Sequence, residues 1–285
     1  MLPAIWVNGK REPADGLHVS ARDRGLTLAD GVFETMRAQR GVIFRMDRHL
    51  ARLQAALAAL DIPQPAELRD WLLAATPTAS AADAAIRLTV TRGVGAHGVA
   101  PPGDVAPTVI VSVNPFPAFP LAIYESGLIV HVASGRRNEH AMTAGLKTVA
   151  YTDAIAALLE ARRAGADEAL FLDTAAHCSE ATSSNLFVSA GGVLLTPPPS
   201  CAALPGITRA TVLELARAMD VPTEERPFGL DDLLAADEAF LTSSLRGIAP
   251  VAQVGGRAIG DGAPGELTRR VSAAYAALVA RECSA

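Results

Sequence analysis

The chain has 285 residues, half of them hydrophobic, with 30 acidic against 25 basic side chains and a net charge of −5. That length supports a large core and favours two domains over one, and the ordinary charge content argues against disorder. The negative balance argues against a general nucleic-acid binder, no apolar run is long enough to span a bilayer, and no early stretch carries a signal peptide's charge and cleavage pattern.

From the amino terminus, Ile5-Trp6-Val7-Asn8-Gly9-Lys10 reads as a strand entering a tight turn. Gly31 to Arg37 and Gly41 to Phe44 read as a second hairpin. Asp47 is placed as the N-cap of a helix whose Leu50, Leu53, Leu57 and Leu60 form one apolar stripe. Ala85 to Thr91 and Thr108 to Val113 follow as strands. Pro115, Pro117 and Pro120 then interrupt any ladder or helix, so the expected division is an α+β domain over 1–113, a linker over 114–120 and a larger, strand-rich domain over 121–285.

The second half opens with a strand, Leu128 to Val132, then a helix from about Thr152 to Ala164 ended by Gly165. Ala169 to Leu172 reads as a buried strand, and Asn185 to Val188 and Val193 to Leu195 flank the hairpin signal Gly191-Gly192. A helix starts near Pro205-Gly206-Ile207-Thr208 and carries Val212, Leu215 and Met219. Glu238 to Leu241 is a strand running into Thr242-Ser243-Ser244, and the tail from Leu267 to Val279 is helical with Val271, Tyr275 and Leu278 on one face. Strands and hairpins outweigh regular strand–helix alternation, which predicts an α+β fold rather than a doubly wound sheet.

Chemistry enters with Lys147. Lysine and arginine together number 25 and only Lys10 and Lys147 are lysine, so 23 are arginine. An amine, unlike a guanidinium, can lose its proton and form a Schiff base with a carbonyl, although a solvated surface lysine is equally compatible with the count. Two further segments suit a dianion. The helix opening at Leu204 to Arg209 offers first-turn N–H groups and the Thr208 hydroxyl, and Thr242-Ser243-Ser244 offers further donors at a strand end. Each also reads as an ordinary cap or turn. Cys178, Cys201 and Cys283 are odd in number and show no metal-ligand spacing, which suits a reducing cytoplasm and leads to no expected metal.

Taken in order, several segments resemble the fold type IV pyridoxal-phosphate enzymes, the class IV aminotransferases. They are Asp23-Arg24-Gly25-Leu26 with Asp30 to Thr35, Arg48 to Leu53, Thr91-Arg92-Gly93, Gly145 to Thr148, Ala166 to Asp173, Glu180 to Phe187, Leu204 to Arg209 and Ala236-Asp237-Glu238. The resemblance covers nearly the whole chain and implies a two-domain α+β fold with pyridoxal 5'-phosphate in the cleft between domains. It implies that Lys147 holds the cofactor as an aldimine and shuttles the proton at Cα, and that Glu180 faces the pyridine nitrogen and keeps it protonated. Arg52, the amides of Ile207 and Thr208, and Thr242 and Ser243 would surround the phosphate. Tyr151, one residue out of register with the tyrosine of branched-chain enzymes, would lie near the phenolic oxygen.

For substrate, the resemblance implies that Arg87 takes a carboxylate. Where D-amino-acid transaminases trap that carboxylate with a Tyr, an Arg and a His, this chain has Phe33, His97 and Val99, which disfavours a D-amino-acid enzyme of the usual kind. Phe33-Glu34-Thr35 is the form found in many lyase-like members, and Arg136 and Arg137 offer further anion contacts. The expected activity is transamination between a small or apolar amino acid and a 2-oxo acid. The alternative is 4-amino-4-deoxychorismate lyase, giving 4-aminobenzoate and pyruvate, and a second alternative is a cofactor-binding homologue without catalysis. The same resemblance implies a homodimer acting on small molecules, with no nucleic-acid or membrane partner.

Overall fold

The computed structural model describes residues 3–76, 83–104 and 106–284. The chain forms two compact units, one made of Met1–Pro117, Leu146–Ala150 and Val279–Ala285, the other of Ala118–Gly145 and Tyr151–Leu278.

The first unit holds β1 (Ala4–Val7), β2 (Lys10–Glu12), α1 (Arg24–Leu28), β3 (Gly31–Gln39), β4 (Val42–Ile43), α2 (Met46–Ala59), α3 (Leu68–Ala75), β5 (Ala84–Thr91) and β6 (Thr108–Pro115). Its six-stranded antiparallel sheet runs β2-β1-β6-β5-β3-β4. Both short hairpins turn through paired left-handed residues, Asn8-Gly9 at φ 47° and 79° and Arg40-Gly41 at φ 52° and 81°, the backbone that matches strand twist. Alternation sets the buried face: Ile86, Leu88 and Val90 on β5 and Val109, Val111 and Val113 on β6 are all buried. The α2 stripe of Leu50, Leu53 and Leu57 closes the core, with Leu60 partly buried beside it. Each such leucine contributes about 1.5–3 kcal/mol by leaving water.

The second unit contains α4 (Ala122–Ser126), β7 (Leu128–Arg137), α5 (Thr152–Arg163), β8 (Glu168–Asp173), β9 (Cys178–Ala181), β10 (Asn185–Ala190), β11 (Val193–Thr196), α6 (Ile207–Ala218), β12 (Thr223–Glu225), α7 (Leu230–Leu234), β13 (Glu238–Ser243), β14 (Gly247–Val254), β15 (Arg257–Ala258) and most of α8 (Glu266–Glu282). The sheet runs β12-β11-β10-β13-β14-β7-β8-β9, with β15 on β14. Because Asn185 of β10 also pairs with Glu180 of β9, the path closes on itself. β7 and β8 are parallel, and α5 is their crossover. It buries only alanines, Ala154, Ala157 and Ala161, a small-residue face that admits close approach to the sheet. Phe187 and Phe240 stack with centroids 5.1 Å apart across the antiparallel β10–β13 pair.

Four details differ from the sequence expectations. Asp47 is not the N-cap of α2: Arg45, left-handed at φ 55°, precedes the helix, and Asp47 lies in its first turn, where an acid favours the dipole. The ladder continues into the proline-rich segment as far as Pro115, which pairs with Ala84 at the strand end, where a missing N–H costs least. On α6 the buried face is Val212, Leu213 and Ala216, with Leu215 and Met219 only half-buried. Residues 146–150 group with the first unit rather than with 121–285. The two-residue β4 leaves the start of β3 unpaired on that edge, and the segment fills it, Phe33 N–H donating to the Lys147 carbonyl (2.9 Å) and Val149 N–H to that of Gly31 (3.0 Å).

Candidate active site

Lys147 is therefore presented from a short extended segment held by main-chain hydrogen bonds, after Gly145 turns the chain at φ 76°. Its Nζ lies 4.4 Å from the centroid of the Phe33 ring, and Arg87 Cζ lies 3.7 Å from the same centroid. Phe33 is buried and Arg87 is exposed, its Nε donating to Thr89 Oγ1 at 3.2 Å. One aromatic ring thus gathers a primary amine, a group able to add to a carbonyl, and a guanidinium, a group able to pair with an anion.

Arg52 belongs to a second cluster of the same unit. Its Nε donates to Glu34 Oε1 and its Nη2 to Glu34 Oε2, both at 2.7 Å, a bidentate pair. His49, one turn earlier on α2, places Nδ1 2.7 Å from Glu34 Oε2. Glu34 is fully buried. Burial alone would raise its carboxyl, but the hydrogen bonds from His49 and Arg52 and their charges prevail and hold it below the usual range. In the sequence, Glu34 and His49 stand only within the longer segments Asp30 to Thr35 and Arg48 to Leu53. The available signal was His-x2-Arg on one helix face, which needs an acid opposite when buried.

Burial also lowers the His49 imidazole. The Glu34 hydrogen bond opposes that shift, whereas the charges of Arg52 and Lys147 add to it, and the net direction is down. The ring is neutral at pH 7 and donates Nδ1–H to Glu34. Below about pH 6.5 an unfolded histidine takes up a proton that the folded ring still refuses, so the unfolded chain binds more protons and stability falls. Urea midpoints measured across that window are expected to drop with falling pH, and His49→Gln to flatten the slope. An unchanged slope in the variant would rule out a buried neutral His49.

In the second unit, Glu180 Oε2 accepts from the Leu204 amide (2.9 Å) and from Asn185 Nδ2 (3.2 Å), and Oε1 lies 3.6 Å from Arg137 Nη2. Asn185 Nδ2 also donates to the Leu204 carbonyl at 2.8 Å, tying the approach of α6 to the carboxylate. Arg137 stacks over Phe171 at 4.5 Å, whereas Arg136 donates to the Ala133 carbonyl. Neither the Asn185 link nor the Arg137–Glu180 pair is legible in the sequence.

Gly206 caps α6 with no side-chain hydrogen bond, leaving the first-turn amides of Ile207 and Thr208 for another acceptor. A side chain at Gly206 would meet Asn185 Oδ1 at 2.0 Å, so the approach to these amides requires glycine. Thr242 is buried, and its Oγ1 has no hydrogen-bond partner. Ser243 is next on β13, against which α6 packs. Helix-start amides and an unsatisfied buried hydroxyl fit a phosphate dianion. Tyr151 is half-buried and stands at the N-cap position of α5.

His97 is exposed in the loop after β5. That loop is tied down by buried Arg24, whose Nη1 donates to the carbonyls of Gly98 and Ala100 and Nη2 to that of Val99. Arg24 and Arg92 both pair with Asp30 Oδ2, at 2.8 and 2.7 Å.

Lysine on a sheet edge beside an aromatic ring, and an acid beside a phosphate-competent helix start, define an enzyme of mixed α+β architecture. The amino-transferase class IV profile matches residues 31–254, and the chain belongs to that family. It is 37% identical over 271 residues to a Methanocaldococcus jannaschii protein provisionally named a branched-chain-amino-acid aminotransferase, covering 94% of this chain and 93% of that one. Among solved structures, 4-amino-4-deoxychorismate lyase from Pseudomonas aeruginosa matches with a TM-score of 0.85 and 36% identity, over 94% of this chain and 97% of that one. The branched-chain amino acid aminotransferase of Escherichia coli matches with a TM-score of 0.92 and 30% identity, over 98% and 95%. The fold is the two-domain fold type IV of these enzymes. Among the described residues no helix is long and apolar enough to cross a membrane.

Proposed function

We propose that this protein is a pyridoxal-5'-phosphate-dependent aminotransferase, exchanging an amino group between an amino acid and a 2-oxo acid as a cytoplasmic homodimer. The observation that carries the reading is the Lys147 amine beside Phe33 and Arg87, in a chain whose family profile covers residues 31–254. When bound, the cofactor supplies an aldehyde that captures amines and a ring that takes up the electron pair left at the substrate Cα. Lys147 Nζ would anchor it and would hold and return the proton at the substrate Cα.

Glu180, held by the Leu204 amide, Asn185 and Arg137, would keep the cofactor's ring nitrogen protonated. Arg52, fixed by Glu34, would bind the phosphate with the Ile207 and Thr208 amides and the Thr242 and Ser243 hydroxyls. Tyr151 would hydrogen-bond the phenolic oxygen, and Arg87 would take the substrate carboxylate with Phe33 as a wall. His97, on the loop that Arg24 fixes, would border the substrate.

The lyase reading is kept because identity to the Pseudomonas aeruginosa lyase, 36%, exceeds the 30% to the Escherichia coli aminotransferase. Backbone fit favours the aminotransferase, with a TM-score of 0.92 against 0.85. Cofactor spectra of the purified yellow protein decide between them. A transaminase parks the amino group, so an amino acid alone should convert the spectrum to that of pyridoxamine phosphate, a 2-oxo acid should restore it, and the kinetics should be ping-pong. If no amino acid bleaches the cofactor but aminodeoxychorismate yields 4-aminobenzoate and pyruvate, the lyase stands. Inertness in both assays would select the non-catalytic homologue.

A further inference from the structure

We propose that Asp173, His177 and Cys201 form a binding site for one borderline-soft divalent cation of the zinc class, using none of the groups assigned to the cofactor. Asp173 ends β8 and His177 stands just before β9, so both sit at the mouths of one tight turn. The turn is fixed by the His177 amide donating to Asp173 Oδ1 at 2.7 Å, and His177 Nδ1 lies 3.1 Å from Asp173 Oδ2. Cys201 arrives from a different part of the chain, at the end of the 3-10 turn Pro199–Cys201. One ligand atom from each of the three side chains lies within 4.8 Å of the others.

The donor set is a carboxylate oxygen, an imidazole nitrogen and a sulfur, which zinc binds at about 2.0–2.3 Å. Around a tetrahedral ion such atoms stand about 3.3–3.7 Å apart, and the Asp173–His177 pair at 3.1 Å is already close to that spacing. Asp173 and Cys201 are buried while the His177 side chain is 41% exposed, giving an ion a route in and leaving a fourth position for water.

Charge points the same way. A divalent cation displaces the thiol proton to solvent, and thiolate and carboxylate together balance its two charges while the imidazole stays neutral. Cys178, also buried, lies outside the donor set.

The test is equilibrium dialysis of the full-length, cofactor-loaded protein against zinc, with cobalt absorption as a reporter of geometry. The expected result is one zinc per chain, affinity rising with pH, and a tetrahedral cobalt spectrum with a thiolate charge-transfer band. Outer-shell partners of a metal are worth about 10–100-fold in affinity, so Cys201→Ser should lose at least that much. His177→Gln, a substitution at a half-exposed turn that should not disturb folding, should weaken binding as well. Cys178→Ser should bind like the wild type. Absence of bound zinc, binding unchanged in Cys201→Ser or His177→Gln, an octahedral cobalt spectrum without the thiolate band, or loss of binding in a folded Cys178→Ser protein would each overturn the assignment.

Discussion

Lys147→Arg is expected to lose turnover by roughly 10²–10⁴-fold or more, the scale of a positioned acid–base group, because the guanidinium does not give up its proton at neutral pH. The charge beside Phe33 is retained, so folding should be preserved and some cofactor should still bind. Lys10→Arg is the natural control: that side chain is exposed and pairs with Glu12 at 3.0 Å, and it should have no effect. Single-turnover rates with an amino-acid donor provide the measurement. A Lys147→Arg enzyme within about tenfold of wild type would remove Lys147 from the chemistry.

Glu180→Gln is expected to slow the Cα–H step by about 10–100-fold, the equivalent of a charge-assisted hydrogen bond of ~1.5–3 kcal/mol, while cofactor affinity changes less. The amide fills the same space and can still meet the Leu204 amide, but it cannot hold a ring nitrogen protonated. Arg52→Ala should show the opposite pattern, raising the cofactor dissociation constant by roughly one to two decades through a lost phosphate contact. A substrate isotope effect on the half-reaction, paired with cofactor titration, separates the two patterns. Full activity in Glu180→Gln would contradict the assigned role.

Much of the fold was legible because local signals agreed with the tertiary arrangement. The Asn8-Gly9 and Gly191-Gly192 turns adopt the positive φ that hairpins require, and Val271, Tyr275 and Leu278 on α8 are all buried as their spacing indicated. The elements that escaped detection have physical reasons. α1, α4 and α7 are five residues each, too short to display a helical period. β14 contains Pro250, which ordinarily argues against an inner strand, yet it pairs with Phe240 of β13, and the ladder to β7 is irregular between Val251 and Gln253.

The candidate site shows the same division. Lys147, Glu180 and the α6 start could be picked out because amine, acid and helix opening have chemistry readable from residue type. The Glu34–His49–Arg52 triad, the Asn185 link from Glu180 to Leu204, and the Arg24 clamp on the His97 loop join positions far apart in sequence. Their partners are set by strand pairing and helix packing, which no single segment encodes. Asp173, His177 and Cys201 escaped for a related reason: cysteine spacing alone cannot reveal a cluster with only one cysteine in it.

The central claim, that Lys147 carries the cofactor, is tested most directly by borohydride reduction of the yellow protein followed by peptide mass mapping. The account predicts a phosphopyridoxyl mass on the peptide containing Lys147, unambiguous because Lys10 is the only other lysine. Label on Lys10 alone, or on neither lysine in a cofactor-loaded sample, would contradict it.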